Sequence, residues 1–226
     1  MVPVKGIFIS FEGTEGGGKS TQVQILSERL RALGREVRVL REPGGTSIGE
    51  EIRHTLKHSE VNHAMTSEAE LLLMNASRAQ LVREVIRPAL KEGEIVLCDR
   101  FYDSTMAYQG YGRQLDLERV QAVIDFAVED THPDLTLLLQ VPVEVSEARR
   151  RSRLAGESSQ HRATTGPVPQ RDRMEEADRA FFERVHLGFH QIAVAEPARV
   201  RVIDAIQDIQ TVATAVWKEI GIILVP

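Results

Sequence analysis

The chain has 226 residues, 42% of them hydrophobic and 27% charged, with a formal net charge of −5. That length accommodates one domain with a sizeable core, and the ordinary composition excludes a mainly disordered or fibrous chain. The acidic balance excludes a broad electrostatic surface for nucleic acid. No stretch approaches the roughly 20 apolar residues of a membrane-spanning helix, and the short apolar run at the N-terminus, broken by Lys5, does not read as a secretory leader.

The first predicted element is a buried strand over 5–11, apolar and β-branched. It runs into Gly13-Thr14-Glu15-Gly16-Gly17-Gly18-Lys19-Ser20, which fits G-x-x-x-x-G-K-[ST] at every fixed position. A helix over 19–33 follows, with Val23, Leu26, Leu30 and Leu33 at helical spacing and Gly34 as its stop. A second strand over 36–40 leads to Arg41-Glu42-Pro43-Gly44-Gly45-Thr46, readable as a plain turn or as backbone brought close to a ligand. Helical patterns cover 48–57 and 67–90, the latter kinked or ended at Pro88. A third strand over 94–98 contains the single cysteine, Cys98, which excludes an internal disulfide and fits a reducing, cytoplasmic setting. Its apolar neighbours make it an inert buried thiol. Helices over 116–129, 142–154, 172–195 and 208–219 alternate with strands over 135–141 and 199–203. Residues 156–170, polar and rich in glycine and proline, read as a loop, and the apolar 220–225 as a packing segment or dimer contact.

This alternation predicts a single α/β domain over 1–226. It is a three-layer sandwich of the P-loop NTPase type, with a five-stranded parallel sheet, helices on both faces and a lid segment at about 149–173. In such sheets the ligand sits beyond the carboxyl ends of the strands, so the residues that follow strands carry the chemistry.

The glycine-rich loop supplies inward-facing backbone N–H groups for the phosphates of a nucleoside triphosphate. Lys19 reaches the β- and γ-phosphates, Ser20 takes a place on Mg²⁺, and the helix N-terminus aims its positive end at the same groups. Asp99, ending the third strand, is at the expected position for a Mg²⁺-water contact, and Arg100 suits a phosphate or a structural ion pair. Arg149, Arg150, Arg151 and Arg153 crowd one turn before the loop, with Arg162, Arg171 and Arg173 in or after it; inserted arginines stabilise the charge of a transferring phosphoryl group. Arg78 reads as a surface arginine or a ligand contact. His54, His58 and His63 lack a further ligand for a metal and read as a solvated helix face.

Together these motifs resemble the thymidylate kinase family over nearly the whole chain. The resemblance rests on the P-loop, Arg41–Thr46, Ser77-Arg78-Ala79-Gln80, Asp99-Arg100-Phe101, Ser104-Thr105-Met106-Ala107-Tyr108-Gln109-Gly110, Asp172-Arg173-Met174-Glu175 and Val202-Ile203-Asp204-Ala205. It implies phosphorylation of dTMP to dTDP with ATP and Mg²⁺, by a homodimer contacting through 67–90 and 116–129. It implies that Glu15 contacts the sugar 3′-hydroxyl, Arg78 a thymine carbonyl and Arg100 the acceptor phosphate, with Asp99 beside Mg²⁺. Ser104 and Thr105 lie at the thymine edge, Tyr108 crowds the sugar 2′ position with Gln109 beside it, and Pro43 lines the same pocket. Gly13 to Ser20 and Thr21 hold ATP, and Asp204 and Ala205 lie near adenine. Gly16 follows Glu15 in the P-loop, so the catalytic arginine is expected from the lid: Arg153 first, then Arg149 and Arg151. Two departures stand out. Met74 occupies the position of an aromatic that stacks on thymine, and 156–170 is an insertion.

Overall fold

The computed structural model describes residues 6–59, 61–161 and 177–224, of which 153–161 by backbone alone. Five strands, β1 (Ile7–Glu12), β2 (Val37–Arg41), β3 (Ile95–Asp99), β4 (Leu135–Gln140) and β5 (Val200–Asp204), form one parallel sheet in the order β2-β3-β1-β4-β5. Ile9 of β1 is in register with Leu97 of β3 and Leu135 of β4, which sets the carboxyl ends Glu12 and Asp99 side by side at the edge where ligands bind. The three central strands are apolar almost throughout, as strands covered on both faces must be. The outer strands are not: β2 carries Arg38 and Arg41 and β5 carries Arg201, because an edge strand exposes part of its face to water.

Alternation along the strands divides the core in two. Ile9, Phe11, Leu97, Leu137 and Leu139 pack against α1 (Lys19–Ala32) and α9 (Ile209–Leu224). Phe8, Val96 and Cys98 point the other way, onto α3 (Ser67–Leu81) and α6 (Leu117–Val128), and Leu138 onto α8 (Arg179–Ala195). Side-chain caps start five of the helices: Thr46 for α2 (Ser47–Lys57), Thr66 for α3, Asp116 for α6, Asp178 for α8 and Asp208 for α9. The cap on Asp178 moves the start of α8 to Arg179, later than the helical pattern from 172 indicates, and 172–176 lie outside the described residues.

Two expectations from sequence change here. Pro88 does not end its helix. A π turn over Val82–Ile86 precedes it, and a new helical segment, α4 (Arg87–Lys91), takes Pro88 in its first turn, where a missing N–H costs little. Residues 156–161, expected as loop, belong to α7 (Val143–His161). One glycine costs a helix only about 1 kcal/mol, and the alanine, glutamate and glutamine around Gly156 favour it. Residues 162–170 lie outside the described residues. Ile220 is fully buried in α9, and Ile223 and Leu224 pack against the same core, whereas Ile222 is 63% exposed.

After β3 the chain forms α5 (Tyr102–Thr105) and passes directly into π-helical turns over Met106–Gly112. This segment lies flush on α8. A Cβ on Gly112 would stand 2.6 Å from the Phe181 ring, and a Cβ on Gly188 would stand 2.8 Å from Tyr111. Each element supplies the glycine that admits the other's aromatic ring. From behind, α5 is tied to the sheet by a buried polar cluster. Arg199 donates to both Asp103 carboxylate oxygens at 2.7 and 2.8 Å and to Thr136 Oγ1 at 2.7 Å, and Thr136 is bonded to Ser10 across β1 and β4. Removing one member of a buried ion pair leaves an uncompensated charge. Arg199→Leu is therefore expected to lower the unfolding free energy by about 3–5 kcal/mol, read from urea denaturation, the range for stranding one partner of such a pair.

Candidate active site

The loop after β1 can be built only from glycine at its first position. Gly13 has φ +127°, and a Cβ there would lie 2.3 Å from the Leu139 carbonyl oxygen. Gly16 and Gly18 are also left-handed, at φ +78° and +85°. Lys19, the first residue of α1, is buried beneath the loop, and its Nζ donates to the carbonyls of Gly13 and Thr14, both at 3.0 Å. Burial, and next the facing Arg100 guanidinium, pushes this ammonium down to about 8. Ser20 Oγ donates to Asp99 Oδ2 at 2.5 Å. A hydroxyl and a carboxylate converging at the mouth of the loop are hard oxygen donors of the kind Mg²⁺ takes.

Arg100, next in the chain, is the one large side chain in the site with a left-handed backbone, φ 74°. Its N–H donates to Phe11 O at 2.9 Å. Its Nη1 donates to Gly13 O at 2.9 Å and Ser104 Oγ at 3.0 Å, and Nη2 to Glu15 Oε1 at 3.2 Å. The guanidinium carbon lies 5.1 Å from the centre of the Tyr108 ring, which Phe181 and Phe189 hold edge-on. Arg100 pairs with Glu15 and at the same time lines an open cleft.

That cleft, about 430 Å³ and continuous with solvent, is bounded by Glu15, Pro43, Met74, Arg78, Arg100, Ser104, Thr105, Tyr108 and Gln109. All nine were singled out from the sequence, and the fold gathers them from β1, β2, α3 and the segment after β3. Arg78 is no surface arginine. It is 2% exposed, with Nε and Nη2 on Glu42 Oε2 at 2.9 and 2.6 Å, Nη1 on Asn75 at 2.8 Å and Nη2 also on the Phe101 carbonyl. Four of its five N–H groups are thereby used, which leaves one on Nη1 for a ligand in the cleft. Gln109 is oriented by donating to Glu70 Oε1 at 2.8 Å, a carboxylate that Arg113 also holds. The Pro43-Gly44-Gly45 loop is anchored from α3, where Ser77 Oγ accepts from Gly44 N–H at 3.0 Å.

Three lining residues escaped the sequence reading: Glu42, Lys57 and Phe101. Glu42 had a legible signal, an acid wedged between Arg41 and Pro43 at the end of a strand. Lys57 had none, since it reads as an ordinary cation in the last turn of α2. Burial raises the Glu42 carboxyl against the pull of Arg78, and its Oε1 has no hydrogen-bond partner among the described residues.

On the far side of the loop a second, open cleft is lined by Gly16, Gly17, Gly18, Thr21, Arg149, Ala205 and the segment Ile206–Gln210. Arg149 donates from Nη1 to Gly16 O at 3.2 Å and Ala205 O at 3.0 Å and from Nη2 to Ile206 O at 3.2 Å, stitching the loop to the end of β5. Asp204 does not line this cleft; its carboxylate accepts from Ile206 N–H and shapes the turn. Arg151 points to solvent and pairs with Glu147. The side chain of Arg153, and Arg162, Arg171 and Arg173, lie outside the described residues. Glu12, absent from the predicted site, ends β1 fully buried: Oε1 accepts from Phe101 N–H at 2.7 Å and Oε2 from the Ser104 hydroxyl at 2.5 Å.

A family model described as thymidylate kinase matches residues 11–216. Among curated proteins, the chain is 45% identical over 210 residues to thymidylate kinase of Syntrophotalea carbinolica, covering 93% of each. It is 46% identical over 213 residues to that of Thermomicrobium roseum, covering 94% of this chain and 93% of the relative. Among solved structures, the crystal structure of thymidylate kinase from Ehrlichia chaffeensis superposes with TM-score 0.73 at 33% identity, over 96% of this chain and 99% of that one.

The two clefts share a titrating group beneath them. Burial, and next the Asp103 carboxylate, pushes Glu12 from 4.5 up to about 8. Between those values the folded chain keeps a proton that the unfolded chain has released. Stability from this group is therefore complete below about pH 4.5 and is lost as pH rises through about 8. Urea midpoints measured from pH 5 to pH 8 are expected to fall, and Glu12→Gln, which cannot titrate, should flatten that slope.

Proposed function

This chain belongs to the thymidylate kinase family, and on that premise we propose that it transfers the γ-phosphoryl group of ATP to dTMP, giving dTDP and ADP on the route to dTTP. The observation that carries the reading is the pair of clefts divided by the glycine-rich loop, one bounded by Glu15 and Arg100, the other by Gly16 to Gly18. A donor bound along one side and an acceptor along the other would bring their phosphates together at Lys19.

In the acceptor cleft, Arg100 binds the dTMP phosphate, and its planar fork matches the phosphate oxygens. Glu15 takes the sugar 3′-hydroxyl and Tyr108 closes off the 2′ position. Arg78 gives its remaining N–H to a thymine carbonyl, with Ser104, Thr105 and Gln109 at the ring edge and Pro43 and Met74 against its faces; a thioether packs well against a ring. In the donor cleft the backbone of Gly13 to Ser20, with Thr21, holds the triphosphate, and the segment after Asp204 and Ala205 borders adenine. Ser20 and Asp99 would hold Mg²⁺, which supplies neutralising charge at the phosphates. Lys19 lies under the donor phosphates and offsets the charge that develops during in-line transfer. Most of the rate comes from positioning, and no covalent enzyme intermediate is needed.

The transferring group also needs an arginine from 149–173, which we assign as the lid of a single 1–226 domain. Arg153 remains the first choice. Arg149, bonded to three carbonyls, braces the adenine side, and Arg151 faces away with Glu147. We further propose a homodimer through α3 and α6, whose Leu72 and Phe126 are 58% and 81% exposed. No helix among the described residues is long and apolar enough to cross a membrane.

ADP release from Mg²⁺-ATP, measured with dTMP, dUMP, dCMP, dGMP, dAMP, UMP and thymidine offered separately, tests the assignment. Strong preference for dTMP is expected; preference for another acceptor would overturn the substrate, and acceptor-independent ADP release would overturn the kinase reading. Lys19→Met should abolish turnover with the fold retained. Arg153→Ala should lower kcat far more than dTMP affinity, and a larger loss in Arg149→Ala or Arg151→Ala would overturn the choice among the arginines.

A further inference from the structure

The strained backbone of Arg100 requires a cause, since a bulky side chain at φ 74° persists only where its surroundings enforce it. The enforcement is visible one strand away. The Glu12 carboxyl reaches across from the end of β1 and receives both groups that follow Arg100 in the turn, Phe101 N–H at 2.7 Å and Ser104 Oγ–H at 2.5 Å. Ser104 Oγ in turn accepts from Arg100 Nη1 at 3.0 Å. A chain of hydrogen bonds thus runs Arg100 to Ser104 to Glu12, inside a site where Glu12 and Phe101 are fully buried. The same guanidinium nitrogen donates to Gly13 O, the residue directly after Glu12. Glu12 therefore fixes the turn at its backbone and the arginine at its head.

We infer that Glu12 is a positioning residue for the acceptor phosphate: it sets the left-handed turn at Arg100 and, through Ser104, the direction of the guanidinium in the cleft. This rests on the reading of Arg100 as the acceptor-phosphate ligand. Hydrogen bonding rather than charge is what the task requires, because either a carboxyl or an amide can bond Phe101 N–H and Ser104 Oγ together. An apolar side chain of the same size can do neither, and it leaves Phe101 N–H buried and unbonded.

The experiment is steady-state kinetics with dTMP and ATP varied separately on Glu12→Leu, Glu12→Gln, Arg100→Ala and the Glu12→Leu/Arg100→Ala double variant. Glu12→Leu is expected to raise the KM for dTMP on the order of tenfold, the size of one net hydrogen bond, with the KM for ATP within about twofold of the original. Glu12→Gln should bring the dTMP KM back to within about threefold, since the amide retains both bonds. In the Arg100→Ala background Glu12→Leu should have no further effect on dTMP. An unchanged dTMP KM in Glu12→Leu, an equal defect in Glu12→Gln, or a full additive effect in the double variant would each overturn the inference. Should Glu12→Leu fail to fold, Glu12→Asp, too short to hold Phe101 N–H and Ser104 Oγ together, takes its place. Its effect on the dTMP KM must disappear in the Arg100→Ala background, and persistence there overturns the inference. An Arg100→Ala enzyme with unaltered dTMP KM would instead remove the Arg100 reading, a result distinct from every outcome at Glu12.

Discussion

One carbonyl oxygen, that of Gly13, accepts from two buried cations at once, Lys19 at 3.0 Å and Arg100 at 2.9 Å. Two positive charges so close are unfavourable unless the surroundings answer them, and the Lys19 ammonium is pushed down first by burial and next by Arg100. The answer comes from two carboxylates, Glu15, which pairs with Arg100 at 3.2 Å, and Asp99 at the end of β3, while Glu12, raised to about 8 by burial, contributes hydrogen bonds rather than charge at neutral pH. Phosphate groups are the other natural answer. A site that concentrates fixed cations around a backbone loop is organised in advance for polyanions, which is where electrostatic catalysis draws its strength.

The same arithmetic governs the walls. Two arginines sit on buried carboxylates: Arg78, itself buried, on Glu42, and Arg199, partly buried, on Asp103 and also on the exposed Glu196. Buried ion pairs contribute little net stability, but they fix geometry because few arrangements satisfy all their hydrogen bonds. Arg78–Glu42 locks α3 to the end of β2 and leaves a single N–H facing the cleft. Arg199–Asp103 locks α5 to the back of the sheet. The cleft is thus held open between two charged clamps, with Met74 and Pro43 as its apolar lining.

What could be read from the sequence was what is local. The glycine pattern through Ser20, the apolar strands and the motif from Asp99 to Gly110 each lie in one stretch, so a five-stranded parallel sheet, the edge where ligands bind and the cleft residues Glu15, Arg100, Ser104, Thr105, Tyr108 and Gln109 are legible there, while the strand order is not. What could not be read depends on distance in the chain or on backbone detail. Asp103 and Arg199 are 96 residues apart, and nothing in either neighbourhood names the other. Lys57 enters the cleft only because α2 packs across α3. Pro88 reads as a kink or an end to its helix because periodicity does not reveal a π turn that accommodates it. The helix through Gly156 is hidden by its polar, glycine-containing composition, although the residues around the glycine favour helix.

The reciprocal glycine contacts between α8 and the π-helical segment also have a mechanical meaning. With Tyr111 seated on Gly188 and Phe181 on Gly112, the two elements mesh like teeth, and sliding either along the other would drive a ring into backbone. Tyr108 rides on the same segment, edge-on to Phe181 and Phe189. Tyr108, a wall of the cleft, therefore moves with α8 through Phe181 and Phe189, so a force applied to that helix is felt at the cleft wall without any change in the sheet.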